Sequence, residues 1–200
     1  MVAAALWFDP ACPWTWLTAR WLMEAERVRD LQVRFHVMSL ALLNGLGPAD
    51  SPDAAALWGP VRIAMAAHLS YGDEGVRRAY IALATLIHEE EAAVDREMYA
   101  TALHRALLPH TLAYAAYSPY YDAEIEASHR RGLDPVGTGG CPVLHLPGPD
   151  GELVAFFGPV VTPSPRGEAA GRLWDSVSTA ASTDGFFELK RQRDRSPVFD

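Results

Sequence analysis

Residues 3–8 (Ala-Ala-Ala-Leu-Trp-Phe) form an unbroken apolar run, the pattern of a buried strand. Trp14, Leu17, Trp21, Ala25 and Val28 then recur three and four positions apart, which predicts an amphipathic helix, with Arg20 and Glu24 on its other face. Leu31, Val33, Phe35 and Val37 alternate with Gln32, Arg34, His36 and Met38, a half-buried strand. Strand, helix and strand in so short a span predict a βαβ unit with parallel strands and a right-handed crossover.

The period changes after a turn-rich stretch at 44–52, which carries Asn-Gly, Gly-Pro and Ser-Pro pairs. From Asp53 to about Arg131, alanine and leucine recur at helical spacing, predicting four or five helices. Gly59-Pro60 should interrupt the first. Asp73 and Asp95 should cap two more, Ser118-Pro119 should open the last, and Gly132 should end it. Strand pattern returns at 143–146 and 153–157 around a Pro-Gly-Pro-Asp-Gly turn, a hairpin. Ser164-Pro165 then starts a helix through Leu173, Trp174 and Val177, and the charged tail from Lys190 should be mobile. These shifts divide the chain into residues 1–47, a helical insertion at 48–135, and residues 136–200.

Composition narrows the function. The net charge is −8 with no basic block, so nucleic acid and anionic membranes are poor partners. The first apolar run is too short for a signal peptide, and no stretch approaches the ~20 apolar residues that span a bilayer. Two cysteines make no disulfide scaffold. The expectation is a cytoplasmic protein whose thiols rest reduced.

The chemistry then centres on Cys12. It sits between a strand and a helix start, directly before Pro13, which suits the first helical position. Unpaired N–H groups and the helix dipole favour a thiolate there. A second cysteine three residues on would make a local redox pair, but that position is Thr15. Thr15 offers its backbone N–H and its hydroxyl to the sulfur without closing a disulfide.

The second cysteine, Cys141, precedes Pro142 after two glycines. Base frequencies alone favour a trans bond there. The seven histidines lack paired ligand spacing, and Cys141 and His145 on a strand lie ~13 Å apart, so no metal is expected. His88 and Glu89-Glu90-Glu91 read as a solvated helix end. Tyr114, Tyr117, Tyr120 and Tyr121 read as packing within the insertion.

Together these pieces resemble the DsbA-like branch of the thioredoxin fold, and within it the mycothiol-dependent nitroreductase family. The resemblance rests on Phe8-Asp9-Pro10 before Cys12-Pro13-Trp14, Phe35-His36-Val37-Met38-Ser39-Leu40 and Trp58-Gly59-Pro60-Val61-Arg62. It extends to Phe156-Phe157-Gly158-Pro159, Pro165-Arg166-Gly167-Glu168 and Phe186-Phe187-Glu188-Leu189-Lys190. It implies an α/β thioredoxin fold with an inserted all-α domain acting as a lid. It also implies Cys12 as nucleophile, a cis Pro142 facing it, and Asn44 near the pocket. Pro13, Trp14, Cys141 and Pro142 would contact substrate. No cofactor would be tightly bound; mycothiol would be the co-substrate and a small electrophile the other partner. The chain departs from the family at Thr15, where the family has cysteine, and at Cys141, where threonine is usual.

Three functions fit. The first is a monothiol oxidoreductase, with Cys12 adducts resolved by mycothiol or by Cys141. The second is an enzyme similar to kappa-class glutathione transferases or 2-hydroxychromene-2-carboxylate isomerases, which activate a bound thiol at the same helix start. The third is a non-catalytic binder of small ligands. A regulatory Cys12–Cys141 disulfide is compatible with the first. The oligomeric state is not legible, a homodimer being one option.

Overall fold

The apolar run and the alternating strand lie side by side as expected. A computed structural model describes residues 2–137 and 139–199. In it β1 (Val2–Phe8) and β2 (Leu31–Val37) pair in parallel, joined by α1 (Pro13–Glu26). The hairpin of β3 (Val143–Pro147) and β4 (Leu153–Phe157) adds to the other edge of β1, with β3 antiparallel to it. The sheet order is β2-β1-β3-β4. Every odd residue of β2 from Leu31 to Val37 is buried.

Between β2 and β3 the chain forms α2 (Leu40–Leu43), α3 (Pro52–His88), α4 (Arg96–Arg105) and α5 (Asp122–Leu133). Short 3₁₀ turns link α4 to α5 and follow α5. The last helix, α6 (Gly167–Ala181), packs beside α1, and the Trp21 indole N–H donates to the Ala170 carbonyl at 3.0 Å.

Two apolar cores result. One joins the sheet to α1, α6 and part of α3 around Phe8, Trp21, Phe35 and Tyr80. The other lies within the helices around Ile63, Leu83, Tyr99 and Leu103. Arg62 ties the helices together. It is buried, grips Asp122 through two 2.7 Å bonds, and also donates to the Ala116 carbonyl.

Several expected boundaries move. Gly59-Pro60 does not interrupt α3. Gly59 is needed for contact instead, because a Cβ there would lie 2.1 Å from the Tyr99 hydroxyl. The break falls at Gly72, in a backbone conformation outside the helix, one residue before Asp73. Gly132 lies inside α5 rather than ending it, and there it lets the helix approach the Trp7 indole. Ser164 does not cap α6; its hydroxyl donates to the Leu17 carbonyl and the helix starts three residues later. Asp95 caps α4 as expected, accepting from the N–H groups of Glu97 and Met98. Ser118 likewise caps the turn that Pro119 opens.

Candidate active site

Cys12 is the N-cap of α1, and its backbone is extended while Pro13 takes the first helical position. Its side chain makes no capping bond of the usual kind, and the first turn carries no acidic residue. The turn before it is held by Asp9, whose carbonyl accepts from the Cys12 N–H at 3.0 Å. The Asp9 carboxylate is fully buried and accepts from Ala11 N–H at 2.7 Å and Leu40 N–H at 2.6 Å. It thereby clamps the cysteine turn to the start of α2. Burial raises its carboxyl from 3.8 to about 7, against the two N–H donors that favour the charged form.

Cys141 meets Cys12 from the strand side. The two thiols share a small buried cluster with Trp7, Met38 and Val143. The Cys12 Sγ lies 3.8 Å from the Cys141 carbonyl oxygen, and the Thr15 hydroxyl lies 2.6 Å from the Cys141 sulfur. Thr15 is wholly buried. Cys141 precedes a cis peptide bond to Pro142, where base frequencies favoured trans. The Pro142 carbonyl accepts from the Gly158 N–H, which fixes the loop against β4.

The two thiols differ in ionisation. The Cys141 thiol, followed by the Thr15 hydroxyl and the N–H groups of Thr15 and Trp14, holds Cys12 below the ordinary thiol range, overcoming burial. Burial, with the neighbouring Cys12 thiolate next, pushes Cys141 well above that range. Of the two thiols Cys12 is therefore the one that ionises more readily.

The other expected site residues divide. Pro13 and Trp14 flank the thiol and are half-buried, while Pro142 is buried. Asn44 is exposed at the end of α2, and its amide is engaged by the Leu40 carbonyl at 2.7 Å. Leu40 and Leu43 of the same helix pack on the thiol cluster instead.

Three expectations about the surroundings are corrected. The end of α3 is docked rather than simply solvated: His88 Nε2 donates to the Pro10 carbonyl at 2.8 Å, and the Trp16 indole donates to Glu89. The tail is anchored, with the Arg193 guanidinium 5.0 Å above the Trp14 ring and Phe199 stacked on His88. Tyr114, Tyr117 and Tyr120 are exposed rather than packed inside. Asp9 is the residue at this site that periodicity missed. Its signal was a carboxylate ending a wholly apolar run three residues before the cysteine. Among the described residues no group of three or more metal-binding side chains gathers, and no helix is long and apolar enough to cross a membrane.

The model of the Rv2466c-like family, described as mycothiol-dependent nitroreductase Rv2466c, matches residues 11–191. The chain belongs to that family. It is 27% identical to an uncharacterized Mycobacterium tuberculosis protein, Rv2286c, over 96% of this chain and 81% of that protein. Among solved structures it resembles the cytosolic disulfide reductase DsbM from Pseudomonas aeruginosa, with a TM-score of 0.58 and 17% identity, over 88% of this chain and 99% of that one. It also resembles a 2-hydroxychromene-2-carboxylate isomerase, with a TM-score of 0.57 and 13% identity, over 88% and 93%. The fold is the DsbA-like thioredoxin fold. The family and fold are those of thiol oxidoreductase-type enzymes.

Proposed function

We propose that this protein is a thiol-dependent reductase in which Cys12 is the nucleophile and a low-molecular-weight thiol, mycothiol, supplies the electrons. Its substrates on this reading are disulfides or small electrophilic and nitro compounds. One observation carries the reading: a buried cysteine stands at the N-cap position of α1 with no acidic side chain in the first turn, packed in one cluster with Cys141.

The disulfide step balances as an exchange. The Cys12 thiolate attacks one sulfur of R–S–S–R′, a bond to that sulfur forms, and R′–S⁻ leaves and takes a proton. A thiol then attacks the adduct and frees the second product as R–SH, and two mycothiols in all return the protein to its reduced state and leave as their own disulfide. Thr15 stabilises the attacking thiolate and takes no part in bond making. Pro13, Trp14 and Pro142 supply the apolar walls beside the sulfur. The helical insertion at 48–135 serves as the lid, and small molecules are the only partners the reading needs.

Supplying mycothiol and a model disulfide to the wild-type chain and to Cys12→Ser tests this directly. Thiol release by the wild type and none above background by the variant is the expected result. An unchanged rate in the variant removes Cys12 from the reaction. Conjugation or isomerisation without net electron transfer would instead favour the transferase or isomerase chemistry.

A further inference from the structure

We propose that Cys141 is a built-in resolving thiol, which displaces the first product from Cys12 by closing a disulfide between α1 and the loop that leads into β3. The inference rests on Cys12 as the nucleophile and adds a second, non-local catalytic sulfur.

The chain has two cysteines, 129 positions apart in sequence, and both are buried in the same five-residue cluster. In a local redox pair the second sulfur would stand three residues into the helix. Thr15 fills that place, and its hydroxyl touches the Cys141 sulfur at 2.6 Å. The strand-side sulfur therefore meets the very position from which a helix-side partner would face Cys12.

The location of Cys141 is also fixed. Val143, two residues on, pairs with Trp7 of β1 and with Phe157 of β4, and the Pro142 carbonyl is held by Gly158. The strand β1, whose following turn carries Cys12, thus also positions Cys141. Holding two reacting groups in this way replaces a bimolecular step by an intramolecular one.

The chemistry balances without an added oxidant, because the disulfide substrate is the oxidant. Cys12–S⁻ and R–S–S–R′ give Cys12–S–S–R and R′–S⁻, which takes a proton. The Cys141 sulfur then attacks the Cys12 sulfur. The Cys12–S–S–Cys141 bond forms, R–S⁻ leaves, and the Cys141 proton goes to it as R–SH. Two low-molecular-weight thiols return the pair to the reduced state and leave as their own disulfide. Keeping the proton on Cys141 until this step prevents it from competing with Cys12 for substrate.

The test uses the full-length reduced chain and 2-hydroxyethyl disulfide as the probe. Wild type, Cys141→Ser and Cys141→Ala are quenched in acid at intervals, then read by intact mass and by peptide mapping without reductant. In the wild type, the mercaptoethanol adduct on Cys12 is transient. It gives way to a species lighter than the reduced chain by two hydrogens, with the Cys12 and Cys141 peptides linked. In both variants the adduct persists at least about 100-fold longer. An adduct in the wild type that lasts as long as in the variants overturns the proposal and leaves Cys12 standing as the nucleophile. A disulfide linking two chains also overturns it. Absence of any adduct on Cys12 in all three proteins overturns the nucleophile reading and the proposal with it.

Discussion

Two helix starts in this molecule solve the same problem in opposite ways. At α4 the orphan N–H groups are satisfied: the Asp95 carboxylate accepts from Glu97 and Met98, and Glu97 adds a second negative charge in the first turn. At α1 nothing of the kind is present. The N-cap is Cys12, it makes no capping bond, and the first turn has no acidic side chain. The same backbone geometry therefore stabilises the fold at one site and is left available to a sulfur at the other. A helix start that carries chemistry is recognised by the cap it lacks.

The largest expected effect comes from removing the sulfur at the uncapped start. Cys12→Ser should lower turnover of a model disulfide by at least about 1,000-fold, since a hydroxyl at neutral pH has almost no anionic form. The melting temperature should change little. A fall in turnover that tracks a loss of folded protein would mean that Cys12 is structural.

Next in size is the donor set. Thr15→Val keeps the shape and the backbone N–H but removes the hydroxyl that touches the Cys141 sulfur and helps to hold the Cys12 ionisation down. The rate of Cys12 alkylation at pH 7 should drop about fivefold, because a midpoint that rises by about one unit from about 7 leaves roughly a tenth of the thiol ionised at that pH. The sign follows from the thiolate being the reactive form. In the wild type, reactivity rises with pH and reaches half its maximum below the ~8.5 of an unperturbed thiol. In Thr15→Val the midpoint moves back up. The same depressed ionisation stabilises the fold above the unfolded thiol's pKa, and this contribution is lost as pH falls through the folded one. Identical midpoints for the two proteins would leave Thr15 without a part in the thiolate.

Much of this site was visible in the sequence, and the reasons for the rest are physical. Cys12 and Pro13 announced themselves because strand and helix periods meet there and because proline at N1 is a local signal. The strands and the parallel pairing were legible from spacing alone. Asp9 was not, because its role depends on the Leu40 N–H, which β2 delivers from 31 positions away. The encounter of Cys141 with Thr15 required the hairpin to fold back across β1, and no local pattern encodes that contact. Gly59 and Gly132 were misread as helix breakers. Their lack of a Cβ serves Tyr99 and Trp7, and such partners are invisible in one dimension.

A smaller effect separates the two helix starts from the other side. Asp95→Ala should cost about 1 kcal/mol of stability, the usual worth of an N-cap carboxylate. It should leave the Cys12 alkylation profile untouched, because the two starts lie in different cores. Denaturant unfolding monitored by tryptophan fluorescence gives the first quantity, and pH-dependent alkylation gives the second. A shift in the thiol midpoint would show that the two starts are coupled, and the contrast between a structural cap and a chemical one would fail.

The smallest effect concerns cover rather than charge. The tail crosses the mouth of the uncapped start: Arg193 lies over Trp14, the Val198 N–H donates to the Thr162 hydroxyl at 2.9 Å, and Phe199 stacks on the His88 that is bonded to Pro10. The α4 start has no such strap among these contacts. A single exposed cation–π contact contributes little, so Arg193→Ala should speed alkylation of Cys12 by a bulky maleimide only about two- to fivefold. Iodoacetamide, being small, should gain less. The order of the two reagents is the informative quantity, because a general loosening of the fold would accelerate both equally. A bulky reagent that gains no more than the small one would mean that the tail does not restrict access, and that the 3% exposure of Cys12 is set by Trp14, Cys141 and the helix itself.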